Sequence, residues 1–257
     1  MGFTFDGISS QSMKVRAMLT NWQVSPSLRN AFVAIPGKPG VADFGSTAAE
    51  KSITVRCGIM PQQDFASLVN VLDDMAEWLH PGKGLKQFVL DDVPDRYFWA
   101  RLSESIDCER VLRSAGSFDL RFVCPDPHGY ALADEVYTIA SEGASAVRRL
   151  KGNTDSEPLY IMKGIILSDA GSYITIVTND EDLRVIGPLS AGEILIIDTG
   201  RLTAKVTNEQ GETLRNGLPC LQELNFPILH KGENTITIQS TDGIFSELRI
   251  QAGSRWR

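Results

Sequence analysis

The sequence predicts a mainly β protein with one amphipathic helix, divided into an N-terminal β-rich domain over residues 1–142 and a C-terminal β-sandwich over 143–257. Three observations carry this. Apolar and polar residues alternate in period 2 through most of the first half, the spacing of strands that bury one face. One stretch, 61–80, breaks that rhythm with apolar residues at 3.6-residue spacing, as a helix with a buried stripe would. Beyond residue 150, short apolar runs separated by turn residues follow one another with no helical pattern between them, which points to a two-sheet sandwich.

In chain order, an apolar strand end, Val33-Ala-Ile35, runs into Pro36-Gly37-Lys38-Pro39-Gly40. Two prolines of fixed φ and two glycines of free φ make a stiff bend that projects from the periodic body. Ile53, Val55, Cys57 and Ile59 then alternate with Ser52, Thr54, Arg56 and Gly58 as a half-buried strand. In the helix, Pro61 suits the first turn, where its missing N–H would be unpaired, and Pro81-Gly82 stops it. Its main stripe is Phe65, Leu68, Val69, Leu72, Met75, Ala76 and Leu79. Val71 and Trp78, one heptad apart and off that stripe by more than a right angle, need cover of their own, from the same domain or from another subunit. Strands over 97–102 and 118–124 follow, with Asp95-Arg96 and Gly116-Ser117 supplying turn chemistry ahead of each. Small polar residues at 141–145 and the Arg148-Arg149 pair interrupt the apolar pattern and place the domain boundary there. Past it, strands are expected over 159–162, 173–177, 183–186, 193–198, 202–207, 234–240 and 248–251. Turns separate them, among them Asp169-Ala170-Gly171, Asn179-Asp180, Gln210-Gly211 and Asp242-Gly243.

The net charge of −7, with more acidic than basic residues in each half, leaves no cationic groove for nucleic acid. Nothing approaches the ~20 apolar residues of a membrane span, and residues 1–10 carry no leader pattern, so a protein of aqueous compartments is expected. Cys57, Cys108, Cys124 and Cys220 are too few and too scattered for a disulfide framework, and Cys57 and Cys124 lie on apolar strand faces as packed thiols. His80, His128 and His230 lack ligand spacing, and Asn179-Asp-Glu-Asp182 lacks the glycine and closing glutamate of a calcium loop. Without a nucleophile motif or a phosphate cradle, no catalytic residue, metal or cofactor is expected. The rings after residue 150, Tyr160, Tyr173, Phe226, Phe245 and Trp256, mostly alternate with polar neighbours and point inward, which speaks for core packing over a glycan platform.

Taken in order, several short patterns resemble the distal tail protein family of siphophages. In the first half they are Phe3-Thr-Phe-Asp-Gly7, Ile35-Pro-Gly-Lys-Pro-Gly40, Pro94-Asp-Arg-Tyr97 with Ala100-Arg101, and Phe122 with Asp126-Pro127. In the second they are Gly152-Asn-Thr154 with Pro158, Gly192-Glu-Ile-Leu-Ile-Ile-Asp198, and Gly232-Glu-Asn234 followed by Thr-Ile-Thr-Ile. The resemblance implies an N-terminal domain that forms a hexameric ring, a hairpin arm reaching the neighbour, and a galectin-like C-terminal sandwich outside the ring. It implies a hub at the distal end of the phage tail, made in the bacterial cytoplasm. The implied partners are other copies of the chain, the major tail tube protein, a tail-tip protein and receptor-binding proteins, with no specific nucleic-acid binding and no membrane insertion. On this reading Pro36, Gly37, Lys38, Pro39, Gly40, Val71 and Trp78 are the subunit-interface candidates. Asp91, Asp92 and Asp95, beside the Pro94 turn, are the channel-lining candidates, because a passage for DNA must not hold its phosphates. The alternative is a glycan-binding adhesion module. A cell-wall enzyme, which would need convergent carboxylates, comes third.

Overall fold

The computed structural model of the chain describes residues 1–106, 115–167 and 171–257, and 109–112 as backbone. Cys108 and the Asp169-Ala170 part of an expected turn lie outside the described residues. The chain is mainly β and divides into two compact units, Met1–Leu132 and Ala133–Trp256. The expected division at 142/143 falls inside the second unit, because the polar residues 141–145 are not a linker: they form a turn and the start of a strand flanked by strands of that unit.

The first unit contains β1 (Phe3–Phe5), β2 (Ile8–Ser9), β3 (Val15–Trp22), β4 (Leu28–Ala34), β5 (Val41–Ala48), β6 (Lys51–Ile59), helix α1 (Phe65–Trp78), β7 (Lys86–Leu90), β8 (Val93–Leu102), β9 (Glu109–Leu112), β10 (Ala115–Cys124) and β11 (Gly129–Ala131). Antiparallel pairing orders the main sheet β2-β1-β7-β8-β10-β6-β3. The sheet curls until its two ends meet, where Ala17 donates its backbone N–H to the Met1 carbonyl at 3.5 Å. The period-2 pattern explains the core. Ile53, Val55 and Cys57 face inward opposite Phe122, Leu120 and Phe118 of β10. The Phe3-Thr-Phe-Asp-Gly7 pattern also has a physical account. Phe3 and Phe5 are buried, and Asp6 and Gly7 take the two positive φ values, 53° and 76°, that a tight hairpin turn requires.

Helix α1 starts later than expected, at Phe65, because Asp64 caps it by accepting the Ser67 N–H at 2.8 Å. It is also rotated from expectation. The buried line is Leu68, Val71, Met75 and Trp78, whereas Ala76 is exposed and Val69 and Leu72 are half-buried. Trp78 decides this: its ring stacks on Phe3 at 5.5 Å, and its indole N–H reaches the Phe5 carbonyl at 3.1 Å. Burying a tryptophan removes far more apolar surface from water than burying an alanine, so the aromatic wall of the sheet captures the second apolar line.

The second unit is a two-sheet sandwich of β12 (Val136–Ile139), β13 (Gly143–Arg149), β14 (Leu159–Ile165), β15 (Tyr173–Thr178), β16 (Glu181–Val185), β17 (Ile194–Asp198), β18 (Thr203–Thr207), β19 (Thr213–Asn216), β20 (Gly232–Thr241) and β21 (Ile244–Gln251). One sheet runs β12-β21-β14-β17-β18-β19 and the other β13-β20-β15-β16. Tyr160, Leu195, Ile197 and Ile250 from the first meet Ile174, Ile176, Leu183 and Ile238 from the second in one buried core.

Candidate assembly interface

Strands β4 and β5 make a hairpin separate from the main sheet. All of β4, and all of β5 except the half-buried Ala42, is exposed. The register pairs Val33 with Ala42 and Phe32 with Asp43. Since neighbouring residues point to opposite faces, Val33, Ala42 and Phe44 share one face while Phe32 and Val41 lie on the other. Phe44 is 71% exposed and Phe32 54%. A lone two-stranded hairpin is marginal in water, and an uncovered apolar surface of this kind marks a site of interaction. Its tip is the Pro36-Gly37-Lys38-Pro39-Gly40 bend. Gly37 and Gly40 sit at φ of +78° and +84°, and Lys38 donates its N–H to the Ile35 carbonyl at 3.1 Å.

The root of this arm is clamped. Ala49 donates to the Ser27 carbonyl at 2.7 Å, and the Gln23 side chain accepts from the Ser52 N–H at 2.9 Å while donating to the Ser27 hydroxyl at 3.1 Å. The buried Lys51 ammonium lies over the Trp22 ring, 4.5 Å from its centroid, and burial lowers its pKa.

Val71 and Trp78 drop out as interface candidates, because both are buried in the core of their own unit. What the rotated helix leaves uncovered is the opposite apolar line, with half-buried Val69 and Leu72 and exposed Ala76. This line runs into a groove of about 680 Å³ lined by Ala76, Leu79, Pro81, Leu102, Ile106 and Val123, among others.

The three channel candidates are all exposed and fall on a turn and the strand that follows it. Asp91 and Asp92 form the exposed turn between β7 and β8, with the Asp91 N–H on the Gly2 carbonyl at 3.1 Å. Asp95 lies within β8, and its carboxylate is held by the Arg96 guanidinium at 2.9 and 3.0 Å, so its charge is compensated.

A buried-side network escaped sequence reasoning, which treated His128 only as a possible metal ligand. Asp126 accepts from the His128 backbone N–H at 3.1 Å, contacts its ring Nδ1 at 2.6 Å and accepts from the Tyr130 hydroxyl. Burial pushes the Asp126 carboxyl up, but these hydrogen bonds outweigh it and bring it down to about 2. The i, i+2, i+4 spacing of Asp126, His128 and Tyr130 was the available signal.

Among the described residues no group of three or more His, Cys, Asp or Glu could hold a metal ion, and no helix is long and apolar enough to cross a membrane. Cys57 and Cys124 are buried as expected, and burial pushes both thiols up to about 12. In the sandwich Tyr160 is fully buried, Phe226 and Phe245 pack on the core, and Tyr173 and Trp256 are half-buried.

Residues 8–124 match the family described as phage tail protein RIFT-related domain. No curated protein matches the sequence. Among solved structures, the crystal structure of the Dit protein (gp 19.1) of phage SPP1, described as a paradigm of the hub adsorption apparatus in phages infecting Gram-positive bacteria, has a TM-score of 0.75. That alignment covers 100% of this chain and 99% of the other at 15% identity. The phage P2 baseplate in its activated conformation with calcium gives a TM-score of 0.48 at 9% identity, over 95% of this chain and 91% of that one.

Proposed function

We propose that this phage tail structural protein, whose residues 8–124 form a phage tail protein RIFT-related domain and whose chain as a whole has the distal tail protein fold, is the hub of the tail tip. In this reading six copies form a ring through the first unit. The ring joins the tail tube protein to tail-tip and receptor-binding proteins and leaves a central channel for DNA, with Asp91 and Asp92 on its wall. One observation carries the reading: an exposed, apolar, root-clamped hairpin on a unit that has its own buried core, which is a built structure without cover in the single chain. The full-length match to a protein described as a hub supports it. The hub needs no chemistry. The sequence carries no nucleophile motif, metal-ligand spacing or phosphate cradle, so purified protein is expected to release no soluble fragments from peptidoglycan or teichoic acid above a buffer control. A glycan-binding adhesion module is less well supported, since the rings of the sandwich are buried or half-buried and offer no exposed aromatic platform among the described residues. Gold-labelled antibody against the chain tests the location. Label at the distal tip of the virion tail is expected, and label spread along the tube, or absent from virions, would contradict the hub.

A further inference from the structure

We infer that β13 is an open sheet edge on which a second copy of this chain pairs its own β13, antiparallel about a two-fold axis through Ser145. The contact lies wholly in the second unit and does not involve the arm. In the smaller sheet, β16 at one end is closed by residues 220–222: the Ile186 N–H donates to the Cys220 carbonyl at 2.7 Å and the Gln222 N–H to the Arg184 carbonyl at 3.0 Å. At the other end β13 pairs with β20 alone. The Thr235 carbonyl accepts from the Asn179 N–H at 2.8 Å, and the Thr235 N–H donates to the Asn179 side chain at 3.2 Å, so both groups face away from β13. Its register partner Ala146 therefore points its own N–H and carbonyl outward, and so, two residues back, does Ala144. Among the described residues neither finds a partner on that side. The Arg148 carbonyl, next in the same row, accepts from the Tyr137 hydroxyl at 2.9 Å and ends the open stretch.

Exposed edges are ordinarily blunted by lysine, proline or a bulge, and Gly143-Ala-Ser-Ala-Val147 has none of these. Its small side chains let another backbone approach. Parity then selects the partner. Antiparallel registers that set outward-pointing residues opposite one another differ by steps of two. The one that pairs Ala144 with Ala146 also sets the exposed Arg148 opposite the exposed Glu142, and two-fold symmetry repeats that ion pair at the other end. The Glu142 carboxylate also accepts from the Ser240 hydroxyl of its own chain, which holds it at the edge. A second copy thus carries the complementary charge in the required register. One short strand pair buries far less than the ~1,200 Å² of a stable interface, so the contact forms at high concentration and micromolar chains part.

The test mixes full chains bearing Glu142→Cys with full chains bearing Arg148→Cys at submillimolar concentration under mild oxidation, with each variant alone as control. A disulfide-linked dimer on a denaturing gel is expected from the mixture and from neither control, because the register sets position 142 opposite 148. Equal cross-linking in mixture and controls would reveal random collision, and none in the mixture would leave the edge unpaired. Either result overturns the proposal. A second reporter, Ser145→Cys, lies on the two-fold axis, where the Cα atoms of a non-hydrogen-bonded pair stand about 4.5 Å apart, and should cross-link by itself. Adding Glu142→Lys should slow that reaction severalfold, and adding Arg148→Glu as well should restore it. A rate indifferent to both changes would overturn the register.

Discussion

Arg149 is among the largest fully buried side chains of the described residues, and its guanidinium donates to backbone carbonyls. It donates to the carbonyls of Thr154 at 2.5 Å, His230 at 3.1 Å and, more loosely, Lys151 at 3.5 Å, fastening two loops to the end of β13. Gly152 sits at φ +85° against this knot, where an added Cβ would come within 2.4 Å of the Arg255 carbonyl. In the sequence, Arg148-Arg149 read as a break in the apolar pattern, because polarity alone does not reveal carbonyls that only the tertiary fold supplies. Arg149→Leu leaves buried acceptors without donors, each worth about 1–3 kcal/mol, so urea denaturation should show a loss of at least about 3 kcal/mol. A loss below about 1 kcal/mol would show the knot to be dispensable. Asp126 makes a pH-dependent contribution. Its folded pKa is depressed to about 2, so the stabilisation is complete above the unfolded carboxyl value near 4 and is lost as pH falls through 2. Asp126→Asn should therefore be less stable than wild type at pH 7, with the gap closing between pH 4 and 2. A gap that persists at pH 2 would exclude this origin.

At the scale of elements, the helix and the strongly alternating strands were legible in the sequence, but several strands and the helix's orientation were not. Period 2 located β6, β8 and β10, and period 3.6 located α1, because those patterns are set by the backbone itself. The rotation of α1 depended on which apolar line met the aromatic wall of Phe3, Phe5 and Phe122, a long-range choice. Strands β3, β7, β12, β13 and β19 were not read from the sequence; β12 and β13 pair with partners far along the chain, and polar residues dominate the short β19. The Pro/Gly bend at 36–40 was readable as a projecting loop from its fixed and free φ values. Trp78→Ala should cost about 3–5 kcal/mol of subunit stability, as for other buried large rings, and thermal denaturation reads this directly. Excision of residues 28–48 is expected to behave oppositely. Ser27 and Ala49 are already hydrogen-bonded at 2.7 Å, so a short glycine link can join them, and the subunit should melt at the wild-type temperature. Unfolding of the excised form would make the hairpin part of the core.

At the scale of the whole molecule, the barrel-like sheet with its helix and the two-sheet sandwich each have a complete core of their own. Exposed apolar residues occur in both units, and those of the β4–β5 arm form a contiguous projecting surface whose role is proposed as assembly. An acidic wall at Asp91 and Asp92 would let DNA pass without being held, since each phosphate neutralised by a cation gains counterion-release free energy. Phage carrying Asp91→Lys and Asp92→Lys together should eject DNA more slowly at low salt, with the defect relieved as salt rises. Equal ejection rates at all salt concentrations would remove these residues from the channel. The most direct measurement is the native mass of the purified chain at micromolar concentration, beside that of the form lacking residues 28–48. The account predicts a particle of six chains for the former and a folded single chain for the latter. A monomeric full-length protein, or a ring that survives loss of the arm, would contradict it.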